Sequence, residues 1–157
     1  MVKKFSVCLI VILLLIVSGC GKKNKLSSLE KDYLKSSDLI VTTEKTEYSK
    51  EDTVIKYTIS NVSPFESGYG EYVYLNKLKD GEWYVVEFNS EDYVFCDIAW
   101  MLESQASSSR ELNLANGFNL PLEDGEYRIL IELGDNTAAI SNTFTVKWYK
   151  LTVFLNF

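Results

Sequence analysis

The chain contains no histidine among its 157 residues. That removes Ser-His-Asp and Cys-His nucleophilic catalysis, and with them the commonest metal ligand. Cysteine is scarce, with 3 residues, and proline scarcer still, with 2. Cys8 lies within the first apolar run and Cys20 directly after it; with Cys8 removed in a cleaved leader and Cys20 taken up by modification, Cys96 has no intramolecular partner and no disulfide frame is available. The stretch Val94-Phe95-Cys96-Asp97-Ile98 puts Cys96 on one strand face with Val94 and Ile98, a packing position rather than a reactive one. A glycine-rich phosphate loop and a Gly-x-Ser-x-Gly elbow are also missing. Carboxylate pairs occur at Glu51-Asp52, Glu91-Asp92 and Glu123-Asp124. Glycoside hydrolysis needs two carboxylates facing each other across a cleft, and neighbours on a turn do not supply that. The sequence therefore predicts a protein that is not an enzyme. No Asp-x-Asp-x-Asp-Gly loop exists for calcium, and Asp135 and Asn136 with Glu91, Asp92 or Asp97 read as ordinary turns; no metal is expected.

What the chain does have begins with Lys3 and Lys4, followed by an apolar run from Val7 to Val17. A transmembrane helix takes ~20 apolar residues, more than this run offers. The run ends in Val17-Ser18-Gly19-Cys20. Small side chains at Ser18 and Gly19 let the backbone enter a peptidase cleft, while the lysines hold the start inside the cell. These four residues resemble the lipobox of bacterial lipoproteins. The resemblance implies a signal peptide over 1–19, cleavage between Gly19 and Cys20, and a diacylglyceryl group on the Cys20 thiol. No other cofactor is implied. Two acyl chains, palmitate-like in length, anchor a protein stably where one does not. The implied address is the extracytoplasmic face of the cell membrane.

Removing 1–19 leaves 138 of the 157 residues, enough for one domain and a tether. Lys3 and Lys4 leave with the leader, so 14 basic side chains face 22 acidic ones, a balance of −8. Nucleic acid phosphates repel such a chain, which sets that partner class aside. Lys22, Lys23 and Lys25 form a local exception that suits either anionic headgroups or a solvated spacer. Residues 20–37, rich in Lys, Asn and Ser, read as the lipidated N-terminus and a flexible tether holding the domain off the membrane. Leu26, Leu29, Tyr33 and Leu34 hint at a short helical turn within it.

From Asp38 the hydrophobic period changes to two. Ile55, Tyr57 and Ile59 alternate with Val54, Lys56, Thr58 and Ser60. Tyr127, Ile129, Ile131 and Leu133 alternate with Arg128, Leu130 and Glu132, and Phe144, Val146 and Trp148 with Thr145 and Lys147. Turn signals separate the runs: Asn61 to Gly70, Asp80-Gly81, Asn116-Gly117, Asp124-Gly125 and Gly134 to Asn136. The pattern predicts an all-β antiparallel sandwich or barrel over 38–149, followed by an apolar tail over 150–157. The tail reads as an extended last strand, a docking edge, or an abnormal end of the reading frame.

Asp80-Gly81 fits a two-residue hairpin turn. With that turn as anchor, Lys79 pairs with Glu82, Leu78 with Trp83 and Leu75 with Val86. Val73, Leu75, Val86 and Phe88 then face the core. Tyr72, Tyr74 and Trp83 fall on the other face, with Leu78 and Val85, and form a candidate binding face.

The stretch Leu122-Glu123-Asp124-Gly125-Glu126-Tyr127-Arg128-Ile129 resembles the start of strand F in an immunoglobulin-like domain, with Gly125 and Tyr127 in the place of the tyrosine corner. Glu47-Tyr48-Ser49, Gly70 and Leu75 ahead of Asp80-Gly81-Glu82-Trp83, and Gly125 to Arg128 follow the layout of bacterial immunoglobulin-like domains of surface lipoproteins. This resemblance implies a sandwich of about seven to nine strands, structural roles for Tyr127, Gly125, Asp80, Gly81 and Cys96, and no catalytic motif. The expected work is non-catalytic binding of a protein or envelope component, or an accessory role. Small-solute or ion binding, and surface immunity against a toxin or hydrolase, are the alternatives.

Overall fold

Val54–Asn61 shows how a period of two becomes a sheet: Ile55, Tyr57 and Ile59 are buried while Lys56 between them is exposed. The computed structural model describes residues 23–29, 33–89, 98–134 and 136–148. Gly19, Cys20, Cys96 and the 150–157 tail, all singled out above, lie outside them.

Thirteen strands form among the described residues. They begin with β1 (Leu26–Ser28), β2 (Leu34–Lys35), β3 (Leu39–Thr43), β4 (Glu47–Ser49) and β5 (Val54–Asn61). β6 (Ser67–Gly70), β7 (Val73–Lys79), β8 (Glu82–Val86) and β9 (Ala99–Leu102) follow. β10 (Ser107–Asn113), a 3-10 turn over Leu114–Asn116, β11 (Gly125–Gly134), β12 (Thr137–Ile140) and β13 (Phe144–Lys147) complete the order. The larger sheet runs β1-β8-β7-β11-β12-β2, with β13 along the first part of β11 and β4 parallel to β13. The smaller sheet runs β10-β5-β3, and β6 pairs with β9 in a separate ribbon. This is an all-β sandwich, one of the two architectures the alternation predicts, and its layout is the one the immunoglobulin-like resemblance implies. The strand number exceeds seven to nine because the N-terminal segment adds two short strands and the β6–β9 ribbon two more.

The core lies between the sheets. Leu75, Val86, Ile129 and Ile131 come from the larger sheet; Leu39, Val41, Ile55 and Ile59 come from the smaller one. Phe144 packs edge-on to Tyr48 at 5.1 Å and stacks on Tyr127 at 6.0 Å. Each large side chain buried this way contributes on the order of 2 kcal/mol. At the rim, the fully buried Asn61 amide donates to the carbonyls of Phe65, Leu102 and Glu103 at 2.7, 2.9 and 3.1 Å. It ties the loop after β5 to the end of β9.

Three expectations need correction. Residues 26–28 and 34–35 are not free tether but sheet: β1 pairs antiparallel with β8, and β2 parallel with β12. Leu26 and Leu34 are therefore extended rather than helical, because the open edges of β8 and β12 offer unpaired backbone groups that a local helix would leave unsatisfied. Ser67–Gly70 is strand, not turn, since β9 pairs with it. Trp148 lies past the end of β13 and is 60% exposed, with the Lys50 ammonium 5.4 Å from its ring.

Candidate binding face

The Asp80-Gly81 turn fixes which side chains share a face. Both residues have positive φ, 54° and 87°, and the ladder pairs Lys79 with Glu82, Leu78 with Trp83 and Asn76 with Val85. Val73, Leu75 and Val86 point into the core, and Phe88 packs against it. Tyr72, Tyr74 and Trp83 fall on the opposite, outer face of the larger sheet and are half-buried there.

The adjacent strand completes that face. β11 sets Arg128 opposite Asn76 and Leu130 opposite Tyr74. The Arg128 guanidinium lies 4.3 Å from the Trp83 ring centroid, and its Nε donates to Asn76 Oδ1 at 3.3 Å. Burial lowers the guanidinium pKa from its ordinary value. The Asn76 side chain is fully buried, and its Nδ2 finds no hydrogen-bond partner among the described residues. Tyr72 and Tyr74 rings meet at 4.3 Å, and burial raises the Tyr72 pKa.

The outer face is not simply open to solvent. Leu130 and Ala138 lie on it and are fully buried. The N-terminal segment reaches the sheet at both edges, through β1 and β2, and Leu29 and Tyr33 sit over the face between them. Asn24 anchors this segment: its Nδ2 donates to the Asn119 carbonyl at 2.8 Å, and the Asn119 N–H donates to its Oδ1 at 2.7 Å. Lys25 forms an ion pair with Glu87 at 3.0 Å, and the Tyr33 hydroxyl donates to Glu132 Oε1. Two cavities remain beneath. One of about 330 Å³ is lined by Leu29, Tyr33, Tyr72, Tyr74, Phe88 and Glu132 among others. A neighbouring one of about 490 Å³ touches Tyr33, Trp83 and Arg128.

The outer face of the smaller sheet differs in kind. Thr42, Thr58, Ser60, Ser109 and Glu111 line a shallow polar groove there. Beside it the Arg110 guanidinium packs 4.1 Å from the Trp100 ring and donates to the Tyr69 hydroxyl at 3.2 Å.

Asp52, Glu123 and Asp124 of the described carboxylate pairs are taken up in holding turns. Asp52 Oδ2 accepts from the Ser49 N–H at 2.8 Å. Glu123 accepts from Lys77 Nζ at 2.5 Å, and Asp124 pairs with Lys50 at 3.1 Å. The lysine hydrogen bond holds the Glu123 carboxyl below its usual pKa. Glu91, Asp92, Asp97 and Asp135 lie outside the described residues, among which no three metal-ligating side chains cluster. No helix among the described residues is long and apolar enough to cross a membrane.

The corner before β11 carries the fold's most specific local feature. The Tyr127 hydroxyl donates to the Glu123 carbonyl at 2.8 Å, and Gly125 between them has φ 151°. That is the tyrosine corner expected at these positions. The description "Bacterial Ig-like domain" matches residues 35–146. The chain belongs to this family. The matched span of the Ig-like domain begins within β2 and ends in β13. Comparison with curated proteins found no match. Among solved structures, a β-glucosidase from Erythrobacter marinus aligns at 14% identity and TM-score 0.42, covering 69% of this chain and 15% of that one. A Listeria innocua β-glucosidase in complex with glucose aligns at 16% identity and TM-score 0.40, covering 73% and 16%. An alkylpurine DNA glycosylase from Pseudomonas fluorescens gives 13% identity and TM-score 0.34, covering 70% and 30%. The chain thus spans under a third of each of these proteins. Likenesses this distant carry no argument about activity.

For the Ig-like domain, sequence reasoning placed Tyr72, Tyr74 and Trp83 on one face and missed what joins them. Arg128, Tyr33, Leu29 and Glu132 complete the site. Leu130 was the available signal: an apolar residue on the expected polar side of a strand implies that something covers it.

Proposed function

We propose that this Ig-like domain is anchored through lipid on Cys20 at the extracytoplasmic face of the cell membrane. Its work there is non-catalytic: the aromatic outer face around Tyr72, Tyr74 and Trp83 binds a protein or envelope partner. The observation that carries this reading is that three large aromatic side chains and Arg128 gather outside the sandwich core, on one sheet face, over cavities of about 330 and 490 Å³. Tyr, Trp and Arg dominate interface hot spots because they bury large area at low rotamer cost. Lipid tethering would raise the effective concentration of this face against any partner in the same membrane.

The test is photo-crosslinking in cells, with the reactive group at Trp83 and, for comparison, at Lys56 on the smaller sheet. A discrete adduct at position 83 alone supports the face; adducts at neither position, or equally at both, defeat it. Cys20→Ala tests the address separately. It should leave an unprocessed precursor without lipid, and normal membrane-anchored maturation of that variant would refute the anchor.

A further inference from the structure

The cavity beneath Leu29 and Tyr33 has a chemistry narrower than that of a general docking face. At about 330 Å³ it sits at the low end of the range for small-molecule pockets. Tyr33, Tyr72, Tyr74 and Phe88 contribute to its walls. Tyr72 meets Tyr74 at an interplanar angle of 59° and Phe88 at 67°, with centroids 4.3 and 5.9 Å away. Rings set at steep angles form a corner, and a ring whose face turns toward such a corner would carry negative potential into it.

The charges point the same way. Among the described residues the lining includes the carboxylates of Glu87 and Glu132 and no basic side chain. Glu87 already accepts an ammonium, that of Lys25 at 3.0 Å, at the cavity rim. Glu132 has the Tyr33 hydroxyl as its donor and no ion pair among the described residues. An anion would meet two carboxylates and ring faces, all unfavourable. A neutral apolar ligand would strip water from the carboxylates without replacing it. A hard metal ion wants six or more oxygens, which the described residues do not gather. An organic cation with spread charge satisfies rings and carboxylate together.

We propose that this cavity binds a small organic cation, an alkylated ammonium group, between the rings of Tyr33, Tyr72 and Tyr74 and the carboxylate of Glu132. The proposal rests on the reading of this face as the binding surface and names a ligand class for it. The overall excess of acidic side chains raises the local concentration of such cations.

The experiment is calorimetric titration of the full chain in maltoside micelles. The probes are choline and its uncharged carbon isostere, in which a tert-butyl group replaces trimethylammonium. Choline should bind saturably and about tenfold or more tighter than the isostere, the range that cation–π contact supplies. Tyr74→Leu should weaken choline about tenfold, and Glu132→Gln, which keeps an acceptor for Tyr33, about threefold. Absence of saturable choline binding, or equal affinity for the isostere, overturns the proposal on the unmodified chain, whatever the variants do. A partner captured at Trp83 with no choline binding would overturn the cation site and leave the binding face standing.

Discussion

The hydroxyl of Tyr127 and the carbonyl of Glu123 are 2.8 Å apart, and their hydrogen bond closes the corner that leads into β11. Lys77 braces the same corner, with its ammonium on Glu123 and 5.7 Å from the Tyr127 ring. Tyr127→Phe keeps the ring and loses only the bond. Denaturant unfolding should show a loss of about 1 kcal/mol. Unchanged stability would mean that the corner bond contributes nothing net.

The same phenol sets an alkaline limit. Burial, and then the nearby Glu123 and Asp124 charges, push the Tyr127 pKa well above its ordinary value. A group whose pKa is higher folded than unfolded stabilises fully below the unfolded pKa, about 10 for tyrosine, and that contribution fades as pH rises further. Thermal unfolding of the native chain should therefore fall more steeply above about pH 10 than that of Tyr127→Phe. Parallel slopes for the two proteins would exclude Tyr127 as the source.

Asn61→Ala would take the amide donor from the Leu102 carbonyl and the acceptor from the Ser63 N–H, which donates to Asn61 Oδ1 at 3.0 Å, while the Phe65 and Glu103 carbonyls keep Ser63 Oγ and the Ala106 N–H at 2.7 and 3.1 Å. Buried orphaned groups cost about 1–3 kcal/mol, so the variant should lose roughly 2–3 kcal/mol in chemical denaturation. Asn61→Asp should do no better, because a carboxylate cannot donate to carbonyls. Full stability of Asn61→Asp would contradict this hydrogen-bond assignment.

At the hairpin, a Cβ on Gly81 would meet nothing within 4 Å, yet φ is 87°. Gly81→Ala isolates backbone strain from packing and should cost about 1 kcal/mol. Asp80→Gly relieves a φ of 54° and should be close to neutral. Equilibrium unfolding of both variants checks the pair.

Much of this architecture is legible in the sequence, for identifiable reasons. Asp80-Gly81 dictates a turn, the turn dictates register, and register assigns Leu75 to the core and Trp83 to the outer face. Tyr127 two residues after Gly125 is equally local. The N-terminal segment was illegible because nothing local holds it. Asn24 is fixed by Asn119, 95 positions away, and β1 and β2 are too short to show a period. Leu26, Leu29 and Tyr33 at near-helical spacing then mislead, since sheet edges on β8 and β12 decide their conformation. The candidate site inherits that blind spot, because Tyr33 and Leu29 belong to the illegible segment while Tyr72, Tyr74 and Trp83 do not.

Docking of this segment can be followed directly. Asn24→Ala should speed amide exchange at Ser27 and Ser28, which pair with Val85 and Tyr84, while Leu75 and Ile129 stay protected. Unaltered exchange at residues 27 and 28 would show that Asn24 is not the clamp.

The Asn24–Asn119 clamp also sets a length. If Cys20 carries lipid as proposed, only Gly21 and Lys22 separate the anchor from Lys23, whose carbonyl accepts from the Asn119 side chain at 3.1 Å. Three residues of chain reach about 10 Å at full stretch. That would be a mooring line rather than a mast, little longer than a headgroup layer is deep, about 5–8 Å. The sandwich would ride on the lipid surface with its orientation restricted. Its search for ligands would be two-dimensional, confined to what lies in, or bends down to, the first layer above the membrane.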